Sequence, residues 1–515
     1  MSDQSRRDFL KKAGATAASA STFAALSNSA SGAGGGDRPN IIFIMTDDHD
    51  RQALSCYGSD INETPNLDRV AEEGMTFNHC MVTNSICEPS RATILTGKYG
   101  HKNGVLDNGT KFDGSQQTFP KLLQRAGYQT AMIGKWHLKS EPTGFDYWNV
   151  LPGQGNYYNP EFIEMGNRKQ YEGHCTDVTT DRCLEWLQNR DSNSPFCLMF
   201  HHKAPHRPWR PALRHLDLYK DEKIPEPDTL FDDYESRSAA AYEQELSIKN
   251  IMDERDLKIT KQPRLTDEQR RRWREAYAQR RKEWKNKDLE GKDLVRWKYQ
   301  AYMQDYLRCI AGVDESIGRL LDYLEKSGLE DNTMVVYTSD QGFFLGNHGW
   351  FDKRFMYEEP LHMPFMVRFP GEVEAGSRTD DMVLNLDFAP TFLDAAGCDV
   401  PGDMQGRSFM PILKGDTPDD WRTSMYYHYY EYPAVHSVKR HYGVRTQRYK
   451  LIHFYFDQEA WEMYDLKRDP NETNNVVAQP EYQDVRRRLE KELKRLRNKY
   501  GESEKTDWQH VREYL

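Results

Sequence analysis

Thiols in metal-binding pairs are missing from this chain. Its eight cysteines (Cys56, Cys80, Cys87, Cys175, Cys183, Cys197, Cys309 and Cys398) include no Cys-x-x-Cys, which excludes a zinc site built of thiolates. With Cys87 set aside an odd seven remain, so at least one is free or pairs outside the chain; a Cys175–Cys183 disulfide is left open. Long hydrophobic runs are missing too: nothing after the N-terminal segment approaches the ~18 apolar residues of a membrane span. Positive charge is not in excess, with 70 Lys and Arg against 80 Asp and Glu and a net charge of −10. That argues against nucleic acid as the main partner, although a local cationic cluster can still hold a small anion. No internal repeat is apparent. What remains is a soluble, globular composition, 37% hydrophobic and 29% charged, in a chain too long for one core. A large domain and a smaller one are expected.

The N-terminus reads as an export signal. Ser5-Arg6-Arg7-Asp8-Phe9-Leu10-Lys11-Lys12 carries paired arginines, followed by a weakly apolar run from Ala13 to Leu26 and small residues to about Ala33. This is the twin-arginine pattern. Residues 1–35 are therefore expected to engage the Tat export machinery and be removed, leaving a periplasmic or secreted protein without stable membrane insertion.

From about residue 38 to 400, short apolar runs alternate with helical patterns, the mark of an α/β domain with a largely parallel sheet flanked by helices. Strands are expected at 40–46, 130–133, 196–200 and 333–339, and helices at 65–73, 119–126 and 302–326. Residues 228–297 are dense in Arg, Lys, Glu and Asp and read as an exposed helical insertion. From 401 to 515 aromatic-rich strands (424–432, 442–446, 449–456) and a basic helix (482–500) suggest a smaller α+β domain.

Four of the expected strands run directly into polar groups. The first delivers Asp47 and Asp48. The second delivers Lys135 and His137; the third, His201, His202, Lys203 and His206; the last, Asp340 and Gln341. In open α/β sheets ligands bind at the carboxyl ends of strands, so these groups should meet along one edge. Three carboxylates and an amide oxygen make a hard, all-oxygen site suited to Ca²⁺ or Mg²⁺ rather than zinc. Lys135, His137, His206 and Lys353 would add positive charge and proton donors for an anionic substrate. The sharpest local signal is Cys87-Glu88-Pro89-Ser90-Arg91-Ala92-Thr93-Ile94-Leu95-Thr96-Gly97. Pro near the start and Gly just past the end place Cys87 at a helix N-terminus, where exposed amides favour an anion.

That segment resembles the signature Cys-x-Pro-Ser-Arg followed by Leu-Thr-Gly of the formylglycine-dependent sulfatases. The resemblance continues through Asp47-Asp48, Thr64-Pro65-Asn66-Leu67-Asp68, Gly134-Lys135-Trp136-His137, Ala204-Pro205-His206-Arg207-Pro208, Ser339-Asp340-Gln341-Gly342 and Lys353 to Tyr464-Asp465-Leu466-Lys467-Arg468-Asp469-Pro470. It implies the fold of the alkaline-phosphatase superfamily. It also implies oxidation of Cys87 to formylglycine by a maturation enzyme, and calcium held by Asp47, Asp48, Asp340 and Gln341. Arg91 would hold the formylglycine, while Lys135, His137, His206 and Lys353 would grip sulfate or move protons. The implied reaction is hydrolysis of a sulfate ester: a hydroxyl of the hydrated aldehyde attacks sulfur, His206 or Lys353 protonates the departing oxygen, and His137 takes the proton that lets sulfate leave.

Glu88 stands where relatives usually carry a small or neutral residue, and Gln341 where Asn is common. The runs Thr83-Asn84-Ser85-Ile86-Cys87 and Thr96-Gly97-Lys98-Tyr99-Gly100-His101 resemble the N-acetylglucosamine-6-sulfatase branch. The expected substrate is therefore a sulfated saccharide, best a 6-O-sulfated N-acetylglucosamine, with His101, Trp350, His436, Arg440 and His441 as candidate ring contacts. Two alternatives differ in chemistry: a phosphonate or phosphodiester hydrolase of the same superfamily, and an inactive glycan-binding homologue.

Overall fold

The computed structural model describes residues 38–286 and 289–512. The twin-arginine segment lies outside the described residues. Ten strands form one large sheet: β1 (Asn40–Asp47), β2 (Met75–Phe77), β3 (Gln129–Lys135), β4 (Tyr147–Leu151), β5 (Glu161–Glu164), β6 (Asn167–Gln170), β7 (Phe196–Pro205), β8 (Thr333–Ser339), β9 (Phe365–Arg368) and β10 (Ser377–Thr379). Their order across the sheet is β10-β2-β9-β8-β1-β7-β3-β4-β5-β6. The middle block β8-β1-β7-β3-β4 is parallel throughout, and antiparallel strands sit toward both edges. A parallel strand covered on both faces reads as an unbroken apolar run, and every residue of β1 is buried.

Helices cover the sheet. They include α1 (Pro65–Glu72), α2 (Cys87–Thr96), α3 (Cys175–Asn189), α4 (Asp267–Ala276), α5 (Ala278–Lys285), α6 (Gly291–Ser327) and α7 (Phe388–Ala395). The longest, α6, has 37 residues and starts eleven residues before the expected 302, inside the charged segment. Gly328 ends it in the left-handed conformation, φ 65°. One core packs α6 and α3 against one face of the sheet around Ile42, Ile44, Leu198 and Tyr302; another packs α7 against the opposite face around Phe43, Phe365 and Phe392.

The charged segment is not simply a solvated face. Leu257, Leu265, Trp273 and Tyr277 join the α6 core, so an apolar stripe anchors a surface that is otherwise ionic. Beyond residue 401, β11 (Ser424–Tyr429), β12 (His441–Thr446), β13 (Tyr449–Phe454) and β14 (Ala460–Asp465) form an antiparallel sheet in sequence order, against which α8 (Gln483–Tyr500) packs. The large, mostly parallel sheet with a small C-terminal sheet is the architecture expected. All eight cysteines are free thiols, Cys175 and Cys183 included. No helix among the described residues is long and apolar enough to cross a membrane.

Candidate active site

The four strands that end in polar groups are neighbours, in the order β8, β1, β7, β3. Thr46 pairs with Ser339 and Gly134 with His201, so Asp47–Asp48, Asp340–Gln341, Lys135 and His206 emerge side by side. The β3–β7 approach needs glycine at 134, where φ is 106° and a Cβ would lie 1.8 Å from the His201 carbonyl oxygen.

Cys87 opens α2 with no side-chain cap on the helix N-terminus. The whole helix is buried, and Gly97 terminates it at φ 64°. The Cys87 Sγ lies 3.4 Å from Asp47 Oδ1, 3.6 Å from Gln341 Nε2 and 4.0 Å from Lys135 Nζ. One turn on, Arg91 donates to Asp340 Oδ2 through Nε at 3.1 Å and Nη2 at 2.9 Å, and to the Lys135 carbonyl at 2.7 Å. Ser90 Oγ donates to the Asp340 carbonyl at 2.5 Å. These bonds tie the thiol-bearing helix to the ends of β8 and β3.

Three carboxylates face three cations here. Lys135 pairs with Asp47, and Lys353 Nζ lies 2.5 Å from Asp48 Oδ1. His206 Nε2 is 3.7 Å from Asp48 Oδ2. Ligand atoms of Asp47, Asp48, Asp340 and Cys87 all lie within 4.8 Å of one another. Two buried oxygens in this cluster, Asp48 Oδ2 and Gln341 Oε1, accept no hydrogen bond. Unanswered oxygens among converging carboxylates are what a hard cation would use, and the donor set fits calcium.

Burial, the largest influence on Asp48, pushes its carboxyl up to about 7 against the pull of Lys353. Burial acts on Asp47 in the same sense, but Lys135, His206 and Arg91 outweigh it and hold that carboxyl well below the usual range. For Lys353 burial is outweighed by Asp48 and Cys87, so its ammonium stays protonated well above its ordinary range. His137 and His206 are pushed far down by burial, His137 also by Lys135. Backbone strain collects in the same place. Asp48 (φ 69°), His137 (51°), Asp352 (80°) and Arg354 (89°) all occupy the left-handed region, a conformation that non-glycine residues hold only where surrounding structure enforces it.

The ten candidate catalytic and metal-binding residues all lie on this edge or in the chain entering it. His201 and His202 do not join them, because β7 runs on to Pro205: His201 Nδ1 contacts the Lys135 carbonyl and His202 Nε2 contacts Ser316 Oγ. The five ring-contact candidates are occupied elsewhere. His101 reaches the Tyr500 carbonyl and Glu502 at the foot of the C-terminal sheet. Trp350 is fully buried and stacks on Tyr234 and Phe355. Arg440 pairs with Asp457 and donates to the Tyr430 carbonyl. His441 is fully buried between Lys439 and the Met356 amide. His436 comes nearest, but its ring bridges the Glu245 carbonyl and Asp352. Aromatic and basic side chains in this C-terminal region are core and clasp residues, which their sequence spacing did not reveal.

Sequence reasoning missed several groups. Gln154 accepts from Lys135 Nζ at 2.5 Å; its only signal is a Gly153-Gln154-Gly155 loop. Asp352 and Arg354 flank Lys353, with Arg354 2.7 Å from Glu431. Glu88, noted only as a departure, is fully buried 3.5 Å from His137 Nε2, and burial pushes its carboxyl up to about 8.

The sulfatase family model matches residues 39–398, and the model for the C-terminal region of N-sulphoglucosamine sulphohydrolase matches 346–499. An N-acetylglucosamine-6-O-sulfatase of Bacteroides thetaiotaomicron is 55% identical over 91% of this chain and 88% of its own length. A protein solved in complex with its substrate, D-glucosamine-2-N,6-O-disulfate, superposes with a TM-score of 0.89 at 54% identity, covering 90% of this chain and 98% of that one. The phosphonate monoester hydrolase of Agrobacterium radiobacter shares the fold alone, with a TM-score of 0.65 at 21% identity over 90% of this chain and 96% of its own.

Proposed function

The chain belongs to the sulfatase family and is a sulfuric ester hydrolase, and from that premise we propose that it removes 6-O-sulfate from glucosamine units of a sulfated glycan outside the cytoplasm. The observation that carries the sugar assignment is the 55% identity to an N-acetylglucosamine-6-O-sulfatase, which spans the catalytic and the C-terminal regions together.

In this reading Cys87 is oxidised to formylglycine by a maturation enzyme after Tat-directed targeting. Asp47, Asp48, Asp340 and Gln341 hold calcium. The hydrated aldehyde would supply the nucleophilic hydroxyl, and the cation would supply charge to sulfate oxygens. The remaining chemistry falls to side chains with fixed protonation. Lys353 keeps its proton because Asp48 lies 2.5 Å away, so it can donate to the departing sugar oxygen, with His206 Nε2 3.7 Å from the same carboxylate. His137 is held neutral by burial and by Lys135, so it can take the proton that frees sulfate. Arg91 and Lys135 fix the carboxylates and balance charge on the non-bridging oxygens, a preorganised contribution that needs no rearrangement during the reaction. A matched panel of 6-, 3- and 2-O-sulfated glucosamines tests the assignment. Preference for the 6-O-sulfate is expected; preference for a sulfated galactose or uronate would overturn the sugar and leave the hydrolase.

A further inference from the structure

Residues 259–265 together with α4 and α5 enclose a groove of about 410 Å³ on the charged segment. Lys261, Arg270, Arg274 and Arg281 line it over a floor that includes Leu265 and Trp273, and no carboxylate is among the lining residues. The arrangement follows from the helix. Thr266 and Gln269 form a capping box that starts α4, which sets Arg270 and Arg274 four residues apart on one face. Two of the acidic residues of α4 are drawn off to Arg271, with which Glu268 and Glu275 pair at 2.7 and 3.0 Å, while the third, Asp267, pairs with Arg270 at 3.3 Å. Lys261 and Arg274 have no carboxylate partner among the described residues, and Arg281 donates to the Arg274 carbonyl. At the floor, Trp273 is only 3% exposed and its indole N–H finds no acceptor.

The carboxylate-free lining, with Lys261 and Arg274 unpaired among the described residues, asks for a ligand. Crowded like charges favour an anion. We propose that this groove is a second carbohydrate site, an exosite that holds sulfated oligosaccharide through its sulfate groups while another residue of the chain is processed at the strand ends. It shares no lining residue with the catalytic cluster, and it rests on the reading of the substrate as a sulfated glycan. Lys261 and Arg274 answer the sulfates. Such a site sits on a protein whose net charge of −10 would otherwise repel a polyanion.

The test is calorimetric titration of the full-length protein with a heparin hexasaccharide and, in parallel, a hyaluronan hexasaccharide, which carries carboxylates but no sulfate. Lys261→Ala/Arg274→Ala should weaken heparin hexasaccharide binding about tenfold. Lys491→Ala/Lys494→Ala, which removes the same charge from the exposed face of α8, should leave affinity within about twofold. Both groove positions are exposed; Arg274→Gln alone is the milder variant, with a loss of about threefold. Equal affinities in the groove and control variants would overturn the proposal, as would equally tight hyaluronan binding. Turnover of 6-O-sulfated glucosamine separates the two readings. Groove-dependent binding without turnover sinks the function and keeps the exosite, whereas turnover with groove-independent binding sinks the exosite alone.

Discussion

Around Asp305 every buried charge is answered, whereas around Asp48 two buried oxygens are not. Asp305, on α6, accepts from Tyr277 at 2.8 Å, Arg308 at 3.0 Å and Arg280 at 2.5 Å, and lies 3.2 Å from Lys258. None of its atoms lacks a partner, and the cluster clamps the charged segment to the long helix. The strand-end cluster is as deeply buried, but it packs three carboxylates together and leaves Asp48 Oδ2 and Gln341 Oε1 open. A closed ion cluster serves structure; an open one stores unfavourable electrostatics that only a ligand relieves. Substitutions in the two places should therefore fail in opposite ways.

The largest effect is expected at the nucleophile. Cys87→Ala should lower kcat by a factor of about 10³ or more, while circular dichroism and melting temperature stay near those of the wild type. Collapse of the fold would mean that the thiol is a packing residue.

The paired carboxylates come next. Asp48→Asn should lower activity about 10²-fold or more and weaken calcium retention, read by elemental analysis, with little change in the melting temperature of the cation-free protein. Asp305→Asn should do the reverse. It strands buried Lys258 and Arg280 and costs about 3–5 kcal/mol of stability, while kcat per folded molecule is kept. Equal stability losses in the two variants would erase the distinction between open and closed clusters.

Acid should separate them as well. Burial pushes Asp305 up, but Arg280, Lys258 and Arg308 outweigh it and hold the carboxyl below its ordinary range. A depressed carboxyl contributes stability that is fully present above its unfolded pKa and is lost as pH falls through the folded value. The gap in unfolding free energy between wild type and Asp305→Asn should therefore be constant near neutrality and narrow below about pH 4. A gap that holds at pH 3 would show that Asp305 acts through packing alone.

The smallest effect concerns the leaving group. Lys353→Ala should slow sugar sulfates about 10- to 100-fold more than an aryl sulfate, because a phenolate departs with little protonation. Equal losses would make Lys353 a sulfate-binding residue only.

Most of the open cluster was legible in the sequence because its carboxylates and Lys135 follow or end buried strands and Cys87 opens a helix. Asp47, Lys135 and Asp340 follow apolar runs that can be seen by eye, and Cys87 stands two residues before the proline of a helix that a glycine ends. The closed cluster was not legible. Lys258 and Arg280 belong to a stretch whose charge density reads as solvated, Asp305 lies in the helix expected after it, and only tertiary packing through Leu257, Trp273 and Tyr277 brings them together. Short strands toward the sheet edges such as Glu161–Glu164 and Ser377–Thr379 were missed for a related reason: three or four mostly half-buried residues carry no periodicity to detect. The ring contacts failed because aromatic and basic side chains look alike in sequence whether they line a pocket or fill a core, and His441 and Trp350 fill one.

The central claim is that the open edge works through an aldehyde made from Cys87, and peptide mass spectrometry of the active, purified protein tests it most directly. The account predicts that the peptide spanning Ile86 to Arg91 carries the mass deficit of thiol-to-aldehyde conversion, in a fraction that rises and falls with specific activity across preparations. Full activity in a preparation whose Cys87 is entirely unmodified would contradict it.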